Sequence, residues 1–262
     1  MPTTVLITGA ALRIGRAIAK AFAAQGDRVV IHYRHSAAAA RELLAEIGGE
    51  TRGHRLIQAD LADLDAAAQL IPDLLAQGLR LDGLVNNASH YSRRLLRDCD
   101  QQAMADAFAI NFFAPFALMR AFARHCQRGY IINLLDQRVN AVDYQAGAYA
   151  LAKKALRDAT EAAALEWAPA IRVNAVAPGL VLPPPGTSPE RMAALIQNIP
   201  SRERSTEEEV AEACLYLAQA RAVTGQILYI DGGLHLIGGN ATGERGRQEQ
   251  APAEENKIRT SP

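Results

Sequence analysis

Short β-branched runs alternate with alanine-rich helical stretches along nearly the whole chain, and this alternation limits the fold more than any other feature. Residues 4–7 read as a strand and 14–24 as a helix; strand 28–33 is followed by helix 37–47, and strand 54–58 by helix 66–77. Strand 81–85 precedes a long helix 101–124, strand 130–135 a second long helix 146–167, strand 171–176 a helix 206–217, and 227–230 is the last strand. Strands joined through helices run parallel, and a parallel sheet needs cover on both faces. The expected fold class is therefore α/β, a single-domain, doubly wound parallel sheet of about seven strands with helices on both faces. Ser36 is predicted to N-cap the second helix, and Thr206 with Glu209 has the capping-box pattern. Helix 101–124 is predicted to place Ile110, Phe113, Phe116 and Ala117 on one face.

The domain is expected to span residues 1–237. Within it, residues 180–205 carry Pro183-Pro184-Pro185-Gly186 and Ser188-Pro189, and are predicted to form a substrate loop with a short helical segment. Residues 238–262 are polar, with almost nothing to bury, and are expected to be disordered. Lys plus Arg and Asp plus Glu are each 28, so the formal charge is zero, which speaks against nucleic acid or an anionic membrane as a partner. Cys99, Cys126 and Cys214 lie far apart and form no CxxC, which suits a reducing cytoplasm rather than a disulfide framework or a zinc site. His90 and His235 show no ligand spacing, so no metal is expected. Neither a signal-peptide pattern nor a run of about 18 apolar residues occurs.

Thr8 to Gly15 follows the first strand and opens the first helix, the context of a phosphate-binding turn. Gly9 permits the tight turn, and Gly15 close packing of helix on sheet. The helix N-terminus offers N–H groups and partial positive charge to a pyrophosphate. Alone, such a turn would equally suit a plain connection. The end of the second strand selects the cofactor. It carries Tyr33-Arg34-His35-Ser36 and no acid to hold a ribose hydroxyl. A guanidinium and a hydroxyl suit a 2′-phosphate, so NADPH is expected over NADH.

These residues, with Asp60, Asn86-Asn87-Ala88, Tyr149 to Lys153, Asn174 to Gly179 and Asp231-Gly232-Gly233, resemble the short-chain dehydrogenase/reductase family over about residues 3–237. The resemblance implies a Rossmann-type fold and a homo-oligomer, a tetramer or dimer, joined through the two long helices. It places the cofactor against Gly9, Arg13, Ile14, Gly15, Tyr33, Arg34, His35, Ser36, Asp60, Leu61, Asn87, Ala88, Tyr149, Lys153, Pro178 and Gly179. Asn111 is expected to hold a water linked to the lysine, for proton relay. The residues themselves support the catalytic pair. Tyr149 and Lys153 are spaced i, i+4 and share a helix face. A phenol is a poor acid–base group at neutral pH, and a nearby ammonium is expected to lower its pKa. Asp231-Gly232-Gly233 reads as a turn rather than a site.

Three departures narrow the activity. Arg13 replaces the middle glycine of the turn, Asp136 stands where the family has a catalytic serine, and Ser89-His90-Tyr91 follows Asn86-Asn87-Ala88 directly. All three are similar to the pteridine reductase branch, which includes dihydromonapterin reductases. A carboxylate would oppose the oxyanion that forms when a carbonyl is reduced. A pterin instead offers N–H donors that a carboxylate accepts, and its reduced bond is an imine whose nitrogen needs a proton. The expected activity is NADPH-dependent reduction of an unconjugated 7,8-dihydropterin, with dihydrofolate as a further candidate substrate. Substrate contacts are expected from Arg13, Ser89, Tyr91 (stacked on the ring), Asp136, Tyr149 and Leu180. A carbonyl reductase such as a 3-oxoacyl-carrier-protein reductase, and a non-catalytic NADPH-binding protein, are the alternatives.

Overall fold

The first strand, β1 (Thr4–Ile7), buries Val5, Leu6 and Ile7 completely, as a strand covered on both faces must. In the computed structural model, which describes residues 2–183 and 186–237, β1 lies inside a seven-stranded sheet. Beside it are β2 (Arg28–Tyr33) and β3 (Arg55–Gln58) on one side. On the other are β4 (Gly83–Asn86), β5 (Gly129–Leu134), β6 (Ile171–Pro178) and β7 (Ile227–Ile230). Every pairing is parallel, in the order β3-β2-β1-β4-β5-β6-β7. The strand order reverses between β1 and β4, so a crevice opens at their carboxyl ends.

Side-chain alternation along the strands feeds two cores. Val5, Ile7, Val29 and Ile31 meet Ile18, Phe22, Leu43 and Leu217. These come from α1 (Arg13–Ala24), α2 (Ala37–Glu46) and α8 (Glu207–Gln219). Leu6, Val30, Leu84 and Ile131 face the other way, toward Leu70, Leu118, Phe122 and Leu156. That side is covered by α3 (Leu64–Ala76), α4 (Gln101–Phe108), α5 (Ala114–His125) and α6 (Gly147–Glu166). Each such side chain contributes ~1.5–3 kcal/mol on burial. The predicted elements all occur, with ends shifted by one or two residues. The Thr206–Glu209 capping box forms as predicted.

Two local expectations are corrected. Ser36 stands before α2, but its hydroxyl makes no capping hydrogen bond. Its ψ of 51° is not the extended conformation that turns a hydroxyl toward the first-turn amides. The long helix is continuous but passes through a π turn over Ala109–Phe113. Pro115 has no N–H to return to the carbonyl of Asn111, and the ladder widens there. The extra residue changes the helix phase. Ala107, Asn111, Ala114, Leu118 and Phe122 face inward, whereas Phe113 and Phe116 of the predicted face are 44% and 40% exposed. Gln101–His125 is long and apolar enough to cross a membrane, with a mean hydropathy of 1.2, yet its inner face is core.

The predicted 180–205 excursion contains α7 (Pro189–Gln197), capped by the Ser188 hydroxyl on the Arg191 N–H. Pro184, Pro185 and the predicted tail 238–262 lie outside the described residues.

Candidate active site

A cleft of about 1310 Å³ opens at the β1–β4 crevice and runs from the phosphate turn to the 180–205 segment. Gly9 has φ +61°, and a Cβ on Gly15 would stand 2.3 Å from the Gly9 carbonyl oxygen, so both positions need glycine. Arg13 keeps the left-handed backbone of the glycine it replaces, with φ +53°, at a cost of ~1–2 kcal/mol. The Thr8 hydroxyl accepts from the Asn87 and Ala88 N–H groups, and the Asn87 amide donates to the Thr8 and Gly9 carbonyls. The turn is thus clamped to the end of β4. Helix α1 has no side-chain cap and no acid in its first turn. This cradle fits a dinucleotide pyrophosphate.

His32, to which the sequence reading gave no role, completes the turn. Its Nδ1 accepts from the Gly9 N–H at 3.1 Å, and its Nε2 lies 3.1 Å from the Ala59 carbonyl oxygen, which it can reach only as a donor. Burial pushes its pKa down from 6.5 to about 4, against the opposing pull of Ala59 and Asp60. Between those pH values the unfolded chain takes up a proton that the fold refuses. Stability is therefore full above pH 6.5 and declines toward pH 4, by ~3 kcal/mol for this residue. Melting temperatures measured across that range should fall less steeply in His32→Gln than in wild type. Equal slopes would show that His32 is not the group responsible.

At the outer end of the cleft, Arg34 is exposed and pairs with Asp60 at 2.9 Å. Asp60 also accepts from the Ala62 N–H, so it shapes the loop before α3 and aims the guanidinium. Ile14, Leu61, Ala88, Pro178, Gly179 and Leu180 line the cleft, whereas Tyr33, His35, Ser36, Asp60 and Asn111 do not. Tyr33 packs against the core, and His35 is exposed at the start of α2.

The other half of the cleft gathers Ser89, Tyr91, Asp136, Tyr149 and Lys153. Asp136 follows β5 by two residues and caps the 137–140 turn, and Tyr149 and Lys153 share one face of α6. The Tyr149 hydroxyl donates to Asp136 Oδ2 at 3.1 Å. Lys153 Nζ donates to the Leu134 carbonyl at 2.7 Å and lies 5.9 Å from the Tyr149 ring centre. The predicted lowering of the Tyr149 pKa is overturned. Burial first, then the Asp136 charge, raise it well above 10, although Arg138 and Ser89 pull the other way. The carboxylate accepts the phenol's hydrogen bond, whereas the ammonium's hydrogen bond goes to Leu134. Burial also draws the Lys153 pKa down to about 8, opposed by Asp136. The arrangement holds Tyr149 as a protonated donor.

Asn111 is fully buried in the π turn. Its amide donates to the His90 and Ala107 carbonyls and accepts from the Ser89 hydroxyl and the His90 N–H. Its side-chain donors and acceptor are spent on residues 89–90 and Ala107, and they fix the segment that carries Tyr91. Tyr91 is half exposed and meets the Tyr149 ring edge-on at 5.0 Å. Arg138 and Asp143 also line this half of the cleft. Neither belonged to a recognised motif, and only proximity to Asp136 in sequence pointed toward Arg138. Asp231 forms the expected turn, accepting from the Gly233 and His235 N–H groups.

A short-chain dehydrogenase family model, described as enoyl-(acyl carrier protein) reductase, matches residues 9–235. Pteridine reductase 1 of Leishmania tarentolae is 33% identical over 88% of this chain and 96% of its own length. The 3-oxoacyl-[acyl-carrier-protein] reductase of Staphylococcus aureus is 31% identical over 90% and 99%. The crystal structure of alternative dihydrofolate reductase 1 from Brucella canis, complexed with NADP, matches with a TM-score of 0.81 at 32% identity, over 89% and 94%. Matches of this extent, on a parallel sheet in the same order as the motifs require, place the protein: the chain belongs to the short-chain dehydrogenase/reductase family of oxidoreductases, in its pteridine reductase branch.

Proposed function

We propose that the protein is an NADPH-dependent reductase of unconjugated pterins that converts a 7,8-dihydropterin to the tetrahydropterin. The observation that carries this reading is the Asp136 carboxylate, 3.1 Å from the Tyr149 hydroxyl at the point where a carbonyl reductase needs a donor. An acceptor-only group there suits the N–H edge of an aminopyrimidinone and opposes an oxyanion. When bound, the cofactor supplies a hydride to the carbon of the C=N bond. Tyr149, held protonated, gives its proton to the ring nitrogen, directly or through Asp136. Tyr91 offers a face for the ring, and Arg13 reaches both cofactor phosphate and substrate. Two relatives support the assignment by name, the pteridine reductase and the NADP-bound alternative dihydrofolate reductase.

The cofactor end supports NADPH. Arg34 is the cation at the end of β2, with Ser36 beside it. The exposed Phe113 and Phe116 on the long helix support a homo-oligomer, a dimer or tetramer. Among the described residues the three cysteines are free, which agrees with a reducing cytoplasm.

Steady-state assays with NADPH and NADH on a 7,8-dihydropterin, dihydrofolate and a 3-oxoacyl thioester test the reading. The dihydropterin with NADPH should give the highest kcat/KM. Arg34→Asp should weaken NADPH by one to two orders of magnitude, roughly one charge-assisted bond of ~1.5–3 kcal/mol, and NADH far less. Equal loss for both cofactors removes Arg34 as the selector. Turnover of the thioester alone makes the protein a carbonyl reductase.

A further inference from the structure

We infer that Arg138 is the positioning residue that holds the two substrate-recognition groups, Asp136 and Tyr91, in one arrangement, with Asp143 as its anchor. The inference rests on the pterin reading of the site. Arg138 Nη1 lies 2.8 Å from Asp136 Oδ2, and the Arg138 backbone N–H donates to Oδ1 at 2.9 Å. Both carboxylate oxygens are thereby fixed by one residue. On its other side, Arg138 Nε lies 2.6 Å from Asp143 Oδ2. Asp143 is tied in turn to the Gln145 N–H, just ahead of α6. The guanidinium carbon stands 5.6 Å from the centre of the Tyr91 ring. That ring is held at its other contact by the edge of Tyr149.

The chemistry requires a cation at this place. The side chains of Asp136 and Asp143 are 14% and 15% exposed, and two partly buried carboxylates this near each other repel unless a positive group lies between them. Lys153, the other cation on this side of Asp136, spends its shortest bond on the Leu134 carbonyl. Among the described residues, Tyr149 and Lys153 from α6, Tyr91 and Arg93 from the segment after β4, and Asp143 are the other charged or titratable groups that bear on this cluster. A planar guanidinium can hydrogen-bond one carboxylate through Nη1 and pair by charge with a second at Nε while lying against a ring, a span that a lysine's single ammonium does not match. Arg138 does not need to touch the substrate to act. It decides where the Asp136 acceptors point and how the Tyr91 face is presented.

A double-mutant cycle tests this. Arg138→Met should raise KM for a 7,8-dihydropterin about tenfold or more and weaken binding of an unreduced pterin to the NADP complex in parallel. kcat should change less, and NADPH affinity should stay within about twofold, which also reports that the variant is folded. In an Asp136→Ala background the same substitution should lose most of its effect, because the group through which it acts is gone. Arg138→Lys should restore part of the affinity, and it carries the cycle if Arg138→Met does not fold. Additive losses in the double variant, or a kcat loss with KM unchanged, would reduce Arg138 to a brace of the 137–140 turn and overturn the inference alone. A wild type that neither binds nor reduces any pterin overturns the pterin reading and this assignment together.

Discussion

Tyr149→Phe is expected to lower kcat by about two to four orders of magnitude on the dihydropterin, the range of a positioned general acid, with NADPH binding nearly unchanged. The substitution removes one oxygen from a residue only 5% exposed and leaves the ring where it meets Tyr91. The lost group is the one whose proton lies toward Asp136. Burial and that carboxylate keep the phenol protonated, so Tyr149 itself imposes no alkaline limit near neutrality. Lys153 does. With its pKa drawn down to about 8, its ammonium is present below that value and lost above it, so the wild-type kcat/KM should decline above about pH 8. Lys153→Ala should damage both rate and cofactor affinity. A Tyr149→Phe enzyme as fast as wild type would remove the donor assignment and leave Asp136 as the source of the proton.

Asp136→Ala should cost two decades or more in kcat/KM on a dihydropterin. Two charge-assisted contacts to the ring's donor edge are worth ~3–6 kcal/mol where they do not overlap. The variant also strips the counter-ion from Arg138, now 2.8 Å from the carboxylate, and frees the Tyr149 hydroxyl. Tyr91→Ala should mainly raise KM, since a stacked ring is held alike in ground and transition states. On a ketoacyl thioester the order reverses: Asp136→Ser should speed reduction by restoring a hydroxyl donor. Steady-state kinetics of the three variants on both substrates make the comparison. A thioester reductase that ignores pterins, with Asp136→Ser faster still, would overturn the pterin assignment and leave the fold standing.

The strand–helix alternation made the sheet legible because period and turn chemistry are local. Seven buried or half-buried runs, each followed by a helical stretch or a loop, leave few topologies open once strands must run parallel. The helix phase at residues 109–113 was not legible. Periodicity assumes an unbroken ladder, and the missing N–H of Pro115 acts through a π turn that only the folded helix reveals. Ser36 failed as a cap for a similar reason, since a residue type does not fix its ψ.

The site divides the same way. Motif residues within one turn or one helix face, such as Gly9 with Gly15 or Tyr149 with Lys153, were readable because a few residues of chain fix their geometry. The Arg34–Asp60 pair, the His32 bond to Gly9, and the Arg138 bridge from Asp136 to Asp143 were not. The first two join groups from different strands and loops, and the third depends on how the 136–143 segment folds back on itself. Even the sign of the Tyr149 shift depended on such a contact. By itself the sequence determined which chemical groups the chain owns and which local elements present them. The tertiary structure alone decided which charge lies nearest which proton, because electrostatic effects follow distance and burial, and neither is a property of sequence separation.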